Sequence, residues 1–547
     1  MRTGLRSTFD KAFTILTALS VIFISLVLLG ILGPMIWRGS GAVIFKGTVE
    51  FRKMQMALFE RGNQKTLKEE IVESDNFRKS IYETINKFKK GIDTEALSDR
   101  VREIHREFGQ ELRLKGITGQ QYSQLRSITR DIRDKLEEAF ESQDKKKITG
   151  NIEYVLQFKD DDRFKATSAE EFFQLALGFQ KDVAKIDLRK RKEYEQDLTE
   201  IEQTLFGSGE IPGLLGPHPD KPLPALAMNR FGATRWDQAL KLLDKLLWIE
   251  EWVEKEPGKP LEKARTSRKE KYAGTDLEPL FGYVENNLVK ILKPRLTIYW
   301  QFFIDDNFNS HYFGGVGPEI LGTLLITFLG MLFAVPLGLV SAAYLVECAP
   351  DNFILRIIRM CINTLAGVPS IVFGLFGLSF FVLFLFPLFG MPSKGCILAA
   401  SLTLAILTLP VMIRASEEAI RTVPQTYKEA SLALGASGFR TFVTVTLPAA
   451  LPGILTGIIL SLSRIAGETA PILFVGAVAM GPVPKSLFDP TRTLSYGSYD
   501  MAVGDRISMM VPHNQYGMVV TLVILVLCLN ALAIGLRSRV FKRLKGH

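Results

Sequence analysis

Arg464 and Glu468 are the charged residues with the most to explain, because the chain carries no other charge between Thr441 and Lys485. At the centre of a membrane helix each charge costs about 2.5–3.5 kcal/mol, so an unpaired pair facing lipid is disfavoured. A spacing of four predicts that both lie on one helix face, within pairing reach and turned toward a helix bundle or a water-filled path. A guanidinium presents a planar fork of donors that suits an oxyanion, and a nearby carboxylate could neutralise it between visits. Two readings stay open. One is a transient anion site, strong enough to admit a ligand and weak enough to release it; the other is a structural ion pair that fixes helix packing. Thr469 follows directly and offers its hydroxyl either to an oxyanion or to its own backbone.

The rest of the sequence offers little other chemistry. Cys348, Cys361, Cys396 and Cys528 all fall in or beside apolar segments and read as small hydrophobes, with no metal-ligand spacing. The five histidines are scattered. There is no GxxxxGK[ST] run to cradle nucleotide phosphates and no nucleophile–base constellation, so any energy must come from another subunit.

The elements that would hold Arg464 follow from charge density. Residues 41–300 carry 47 Lys/Arg and 45 Asp/Glu, whereas the remaining 287 residues carry only 20 and 13. One part is built for water and the other for lipid, which excludes a single soluble enzyme, a disordered chain and a fibre. The net charge of +9 does not indicate nucleic-acid binding, because the middle piece is nearly neutral and most of the excess flanks apolar runs. Uncharged or apolar runs at 12–37, 320–346, 360–393, 395–413, from Pro452 to about Met480 and at 507–536 predict six spanning helices. The first is too long for a signal-peptide core and lacks a small-residue cleavage pattern, so it is expected to be retained.

Orientation follows from the basic residues. With the N-terminus inside, the cytoplasmic side receives Arg2, Arg6, Lys11, Arg356, Arg359, Arg414, Arg421, Lys428, Arg440, Arg537, Arg539, Lys542, Arg543 and Lys545. Lys394, Lys485, Arg492 and Arg506 fall in the short outer loops, and Arg38 borders the first helix outside. Both termini are then cytoplasmic and residues 41–300 extracytoplasmic. That insert reads as mostly helical: in 95–142, Leu125, Ile128, Ile132 and Leu136 mark one face, and 183–206 and 235–255 look alike. Breakers at 207–224 predict a loop between subdomains. No motif in the insert says what it does.

Between the fourth and fifth apolar runs lies 414–452, too polar to span. Pro424 predicts a helix start, and Gly435 and Gly438 a stop. Small glycines at 374, 377, 453 and 457 predict close helix packing, and Pro336, Pro369, Pro410 and Pro471 kinks or helix ends. A short helix held between two spans is a good rigid lever; a plain surface loop is the alternative. Here Glu429-Ala430-Ser431, three residues, Gly435, nine residues, Val445-Thr446-Leu447-Pro448 resembles the EAA signature of ABC importer permeases, with Ser431 in place of Ala and Val445 in place of Ile. The 311–347 stretch, AGVPSIVFGLFGL at 366–378 and LSRIAGETAPILF at 462–474 are similar to the PstA family of phosphate-transporter permeases, over roughly 311–536. The insert after the first helix resembles an extension found in some longer members.

That resemblance implies an all-α membrane protein with six transmembrane helices, organised as 1–40, an insert at 41–300 and a permease domain at 301–547. It implies that Glu429, Ala430, Ser431 and Gly435 belong to a coupling helix that docks on an ATPase subunit, and with phosphate as the substrate the charge reading of Arg464, Glu468 and Thr469 becomes the expectation that they line its pathway. The implied partners are a PstC-like second permease, a pair of PstB-like ATPases carrying ATP and Mg, and a PstS-like extracytoplasmic phosphate-binding protein, in a bacterial inner membrane. The chain itself is expected to be no enzyme and to hold no cofactor or metal. A PstC-type sister permease, a permease for sulfate or molybdate, and a membrane sensor whose insert reads an external signal remain alternatives.

Overall fold

Apolar periodicity in the polar insert and continuous apolarity elsewhere give two kinds of helix in the computed structural model. It describes residues 2–92, 94–184, 191–208, 211–218, 231–253, 262–308, 311–350, 352–504 and 510–544. Residues 209, 210 and 219–224 of the breaker-rich stretch, 185–190, 254–255, Arg506 and Lys545 lie outside them. The chain forms two units, Lys46–Leu296 and Met1–Phe45 with Thr297–His547.

The described residues of the Lys46–Leu296 unit include two cores. Helices Gln64–Ile92, Arg191–Phe206, Trp236–Leu247 and Glu278–Leu292 bury Ile85, Phe88, Ile201 and Phe281. Helices Thr94–Leu114, Gly119–Glu141, Lys145–Leu156 and Glu170–Ala184 bury Ile104, Phe108, Ile132 and Leu136. The expected face of 95–142 points inward, but the stretch is two helices. They fold back on one another, with Arg102 Nε 2.9 Å from Glu137. Gly116 and Gly119 make the reversal by adopting φ of +73° and +65°, a region that costs other residues about 1–2 kcal/mol. The helical expectation for 235–255 also fails beyond Leu247. Trp248–Val253 pairs antiparallel with Glu262–Ser267, because Trp248, Ile249, Trp252 and Val253 are aromatic or β-branched and suit a strand. Lys263 lies opposite Trp252, and its ammonium sits 5.4 Å from the ring centroid.

One buried ion pair gives this unit a pH-dependent seam. Glu50, on the helix Val49–Phe59, lies 2.7 Å from Arg78 and 3.0 Å from Lys53, and its second oxygen accepts from the Gly232 N–H at 3.1 Å. Burial alone would raise the Glu50 pKa, but the charges of Arg78 and Lys53 and the Gly232 hydrogen bond outweigh it and hold the pKa at about 2, against 4.5 for a free glutamate. The unfolded chain takes up this proton at the higher value. The pair's contribution, roughly 3 kcal/mol by that difference, is therefore complete above pH 4.5 and lost as pH falls toward 2. Amide hydrogen exchange in 49–59 of the full chain should accelerate over that window, and Glu50→Gln should flatten the dependence; an unchanged acid profile in the variant would remove Glu50 from the seam.

Among its described residues the other unit holds six helices long and apolar enough to cross a membrane: Ala12–Ser40, Gly317–Cys348, Ser370–Leu388, Ile397–Arg421, Gly438–Gly467 and Pro512–Lys542. Its main helical elements are α1 (Arg2–Ser40), α2 (Gly317–Ala343), α3 (Phe353–Leu365), α4 (Ser370–Gly377), α5 (Ile397–Arg421), α6 (Gln425–Ala433), α7 (Leu447–Gly467), α8 (Ala470–Val475), α9 (Leu494–Val503) and α10 (Pro512–Leu544). Side chains of α1 are exposed over 12–31. Near its end Gly39 lies against Tyr516 and Val520 of α10, and Arg38 donates to the Tyr516 hydroxyl at 2.9 Å.

Helices α2, α5 and α7 form the centre. A Cβ added at Gly453 or Gly457 of α7 would fall 2.6 Å from the Cβ of Ala419 or Ala415 of α5, so small residues on both sides let the backbones meet. Pro336 and Pro410 lie inside α2 and α5, whereas Pro369 and Pro471 mark helix starts. Two widened π-type stretches, Leu378–Leu385 and Phe442–Thr446, end just before Pro387 and Pro448. A proline lacks the N–H for the residue four back and crowds its carbonyl, which favours such widening.

Two boundaries differ from the sequence reading. The polar stretch 414–452 is not one loop: α5 runs to Arg421, and the fifth span starts at Gly438, which leaves 422–437 between them. Helix α5 continues past its apolar run because Ser416 and Glu417 are buried, with Glu417 2.8 Å from Arg421 and 3.6 Å from Arg359 of α3. The fifth span ends at Gly467, not near Met480.

Candidate functional site

The helix break at 467–469 governs the charged residues. Pro471 has no N–H to offer the Gly467 carbonyl four residues earlier, and its ring would crowd that carbonyl. Gly467 also forms helix poorly. Helix α7 therefore ends at Gly467, Glu468 is extended at φ −79° and ψ 128°, and α8 starts at Ala470. Glu468 is thus not one turn beyond Arg464 on a common face, and the expected pair does not form. Among the described residues no carboxylate pairs with the Arg464 guanidinium. The Glu468 carbonyl accepts from the Ser495 hydroxyl at 3.3 Å. Arg464, Glu468 and Thr469 are each half-buried.

Depth comes from the neighbour of Arg464. A Cβ at Gly330 would lie 3.3 Å from Ile465 Cδ1, and Gly330 is the midpoint of α2. Arg464 is therefore level with the middle of a spanning helix. Backbone that leaves the helix at such a depth is tolerated where it is buried in protein or lines a water-filled cavity. An unpaired guanidinium beside a helix break is an arrangement that can receive an anion.

The second site is α6 and its exit. Pro424 precedes the helix at φ −57°. At the other end Gly435 N–H bonds to the Leu432 carbonyl at 2.9 Å and Ala436 N–H to the Ser431 carbonyl at 3.2 Å. Those two bonds form the Schellman stop, which needs the left-handed conformation that Gly435 adopts at φ +86°. No atom lies within 4 Å of a Cβ built there, so glycine is required for its backbone and not for space. Ser431 shares a 3.0 Å hydrogen bond with Thr441. Glu429 and Ala430 are exposed, as are Tyr427, Leu432, Leu434 and Phe439, the last two at 90% and 80%. Exposed apolar side chains clustered on a turn are of the kind found where a protein meets another protein or a membrane.

Two sets of ion pairs, involving five residues, lie at α6 and at the end of α5, and the sequence marks only their basic members, as topology signals. Lys428 is buried and its ammonium lies 2.5 Å from Glu347, in the π-type turn Tyr344–Cys348 that ends α2. Glu417 ties Arg359 and Arg421 together at the end of α5. The available signal was their position as charges bordering apolar runs; nothing in spacing pairs Glu347 with a residue 81 positions away.

Residues 320–546 match the family described as the binding-protein-dependent transport system inner membrane component. The chain is 34% identical to the probable ABC transporter permease protein YqgI of Bacillus subtilis over 284 residues, which is 49% of this chain and 91% of that protein. The chain belongs to this family of ABC importer permeases, in its PstA type. It is 32% identical to the probable phosphate transport system permease protein PstA of Methanocaldococcus jannaschii over 43% of this chain and 83% of that one. Against PstA 1 of Mycobacterium tuberculosis (strain CDC 1551 / Oshkosh) the figures are 40% identity, 32% and 55%; the match spans about half of that relative. A solved inward-facing structure of the MetNI methionine ABC transporter is similar at 24% identity and a TM-score of 0.33, over 41% of this chain and 95% of that one. The permease is thus a multi-pass membrane subunit of a transporter, and its family implies an ATPase and a substrate-binding protein as partners.

In this permease Gly435 should be replaceable by asparagine, which tolerates the left-handed region, but not by a β-branched residue, nor as well by aspartate, whose carboxylate opposes the negative C-terminal end of the helix. Gly435→Asp and Gly435→Val should distort the stop by about 1–2 kcal/mol and lower the ratio of substrate moved to ATP hydrolysed in reconstituted vesicles, with Gly435→Asn closest to the parent. Equal ratios in all three would separate the turn from coupling.

Proposed function

We propose that this permease carries inorganic phosphate into the cytoplasm across a bacterial inner membrane, driven by ATP through alternating access. The observation that carries the reading is the Arg464 guanidinium at mid-depth, with no carboxylate partner among the described residues, beside the break made by Gly467 and Pro471. Phosphate enters as a mono- or dianion that hydrocarbon would exclude, and a guanidinium fork meets its oxygens. Glu468 and Thr469 line the same break. Relatives named as phosphate permeases support the choice of anion.

Partners follow from the same reading. A PstC-like permease completes the pathway, a PstB-like ATPase pair binds ATP and Mg, and a PstS-like protein delivers phosphate from outside. The exposed turn of α6, with Glu429, Ala430, Ser431 and Gly435, docks on the ATPase and transmits its closure. The distribution of basic residues supports an orientation with both termini and α6 in the cytoplasm and the 41–300 insert outside it.

Copurification from the native membrane, followed by uptake into vesicles with sulfate and molybdate as competitors, tests the proposal. The expected result is a complex with a second permease and an ATPase, and phosphate uptake that neither competitor suppresses. Uptake suppressed by sulfate or molybdate at equal concentration would reassign the substrate.

A further inference from the structure

Glu319 stands in the first turn of α2, at the end opposite the Glu347–Lys428 contact, and is 0% exposed. Asn307 Nδ2 donates to its Oε1; His311 Nε2 lies 3.3 Å and Arg492 Nη1 3.7 Å from the same oxygen. Arg492, 3% exposed, also reaches Asp306 at 2.7 Å through Nη1. Yet Arg492 Nη2, His311 Nδ1, Glu319 Oε2 and Asn307 Oδ1 are all buried without a hydrogen-bond partner among the described residues. A cluster that served packing alone would be expected to satisfy itself, since each orphaned buried group costs about 1–3 kcal/mol. His311 is moreover held at φ +65°, with its carbonyl taken by Asn514 at 2.7 Å.

The cluster continues toward Arg464. Thr323 donates to the Glu319 carbonyl at 2.7 Å and accepts from the Leu494 N–H at 2.9 Å. Glu319, Thr323 and Thr327 repeat every four residues as a buried polar stripe of α2. Gly322 leaves no room for a Cβ beside the Arg492 carbonyl, whereas Gly330 marks the level of Ile465. Eight residues of helix separate the two levels, about 12 Å. Ser495 then bonds the Glu468 carbonyl at 3.3 Å.

We propose that Arg492 is a second oxyanion-contacting charge on the transport route, about 12 Å from the level of Arg464, with Asp306 and Glu319 as the counter-ions that hold it between passages. This rests on the pathway reading of Arg464. Nη2 is the donor left for the anion. Asp306 is 45% exposed, so water can solvate it when the anion takes its place. Glu319 stays buried and keeps part of the guanidinium's charge cancelled, which makes the site weak enough to release its ligand.

The opposing explanation is an ion pair that merely ties α2 to 491–495. A double variant separates the two, because removing both members of a buried pair is far gentler to the fold than removing one. Vesicles containing the whole complex with Arg492→Gln, Glu319→Gln/Arg492→Gln, or Arg492→Lys are compared with the parent for uptake, KM, subunit copurification and basal ATP hydrolysis. In the double variant we expect copurification and basal hydrolysis to persist while KM rises by about tenfold or more, as loss of a charge-assisted contact requires; Arg492→Lys should recover part of it. A double variant with uptake within about twofold of the parent would overturn the proposal. If the double variant does not assemble, Arg492→Lys decides alone: parental KM overturns, raised KM with normal copurification supports. Parent vesicles are first given phosphate, sulfate and molybdate. Transport of sulfate or molybdate only would sink the phosphate reading and leave Arg492 to be judged with that anion; transport of none would sink both.

Discussion

Arg464→Gln should reduce phosphate uptake to background in reconstituted vesicles while membrane insertion and subunit copurification stay at parental levels. The parent residue sits at mid-depth with no carboxylate partner among the described residues. Replacing it therefore breaks no ion pair and leaves no orphaned countercharge, so the fold has little to lose. The anion loses a charge-assisted contact worth about 1.5–3 kcal/mol, or roughly 10- to 150-fold in transient binding. Arg464→Lys keeps the charge but loses the planar fork and should fall between the two. Parental uptake by Arg464→Gln, with the protein correctly assembled, would take this residue off the route. Loss of assembly would instead assign it to packing.

A second large effect is expected at the other end of α2. Lys428→Met should leave ATP hydrolysis running while transport falls, because the ammonium is what fastens α6 to Glu347. The Lys428 side chain is 11% exposed and that of Glu347 27%, so the pair is partly desolvated and the break costs about 1.5–3 kcal/mol. The cost falls on the position of α6, not on the centre of the bundle, where Gly453 and Gly457 pack on Ala419 and Ala415. The reversed pair, Glu347→Lys with Lys428→Glu, should restore much of the coupling. The measurement is phosphate moved per ATP hydrolysed. An unchanged ratio in Lys428→Met would show that α6 transmits force without this anchor.

The legible parts of the protein were those in which one residue type has one physical meaning. Long uncharged runs locate spans because lipid cannot solvate charge, and all six appear as helices. Pro424 and Gly435 bound α6 as read, since each acts on its own backbone. The spacing of Arg464 and Glu468 predicts a common face only in an unbroken helix, and Pro471, legible in the sequence as a kink or helix end, is what stops the helix at Gly467. In the insert, Gly116 and Gly119 split a helical pattern that periodicity alone reads as continuous, and Trp248–Val253 follows β-propensity after a helix that shares its apolar character.

By itself the sequence determined that the chain is a six-span membrane protein with a charged insert, that it resembles the importer permeases around Glu429–Gly435, and that one arginine in an apolar run requires a purpose. Those features depend on composition and on contacts within a few residues. Tertiary structure alone decided that Arg464 has no carboxylate partner among the described residues and is level with Gly330, that Lys428 is fastened to Glu347, and that Glu319 meets Arg492 across 173 positions of chain. Charge pairing depends on distance in space, and a helix bundle brings together residues whose separation along the chain holds no record of it.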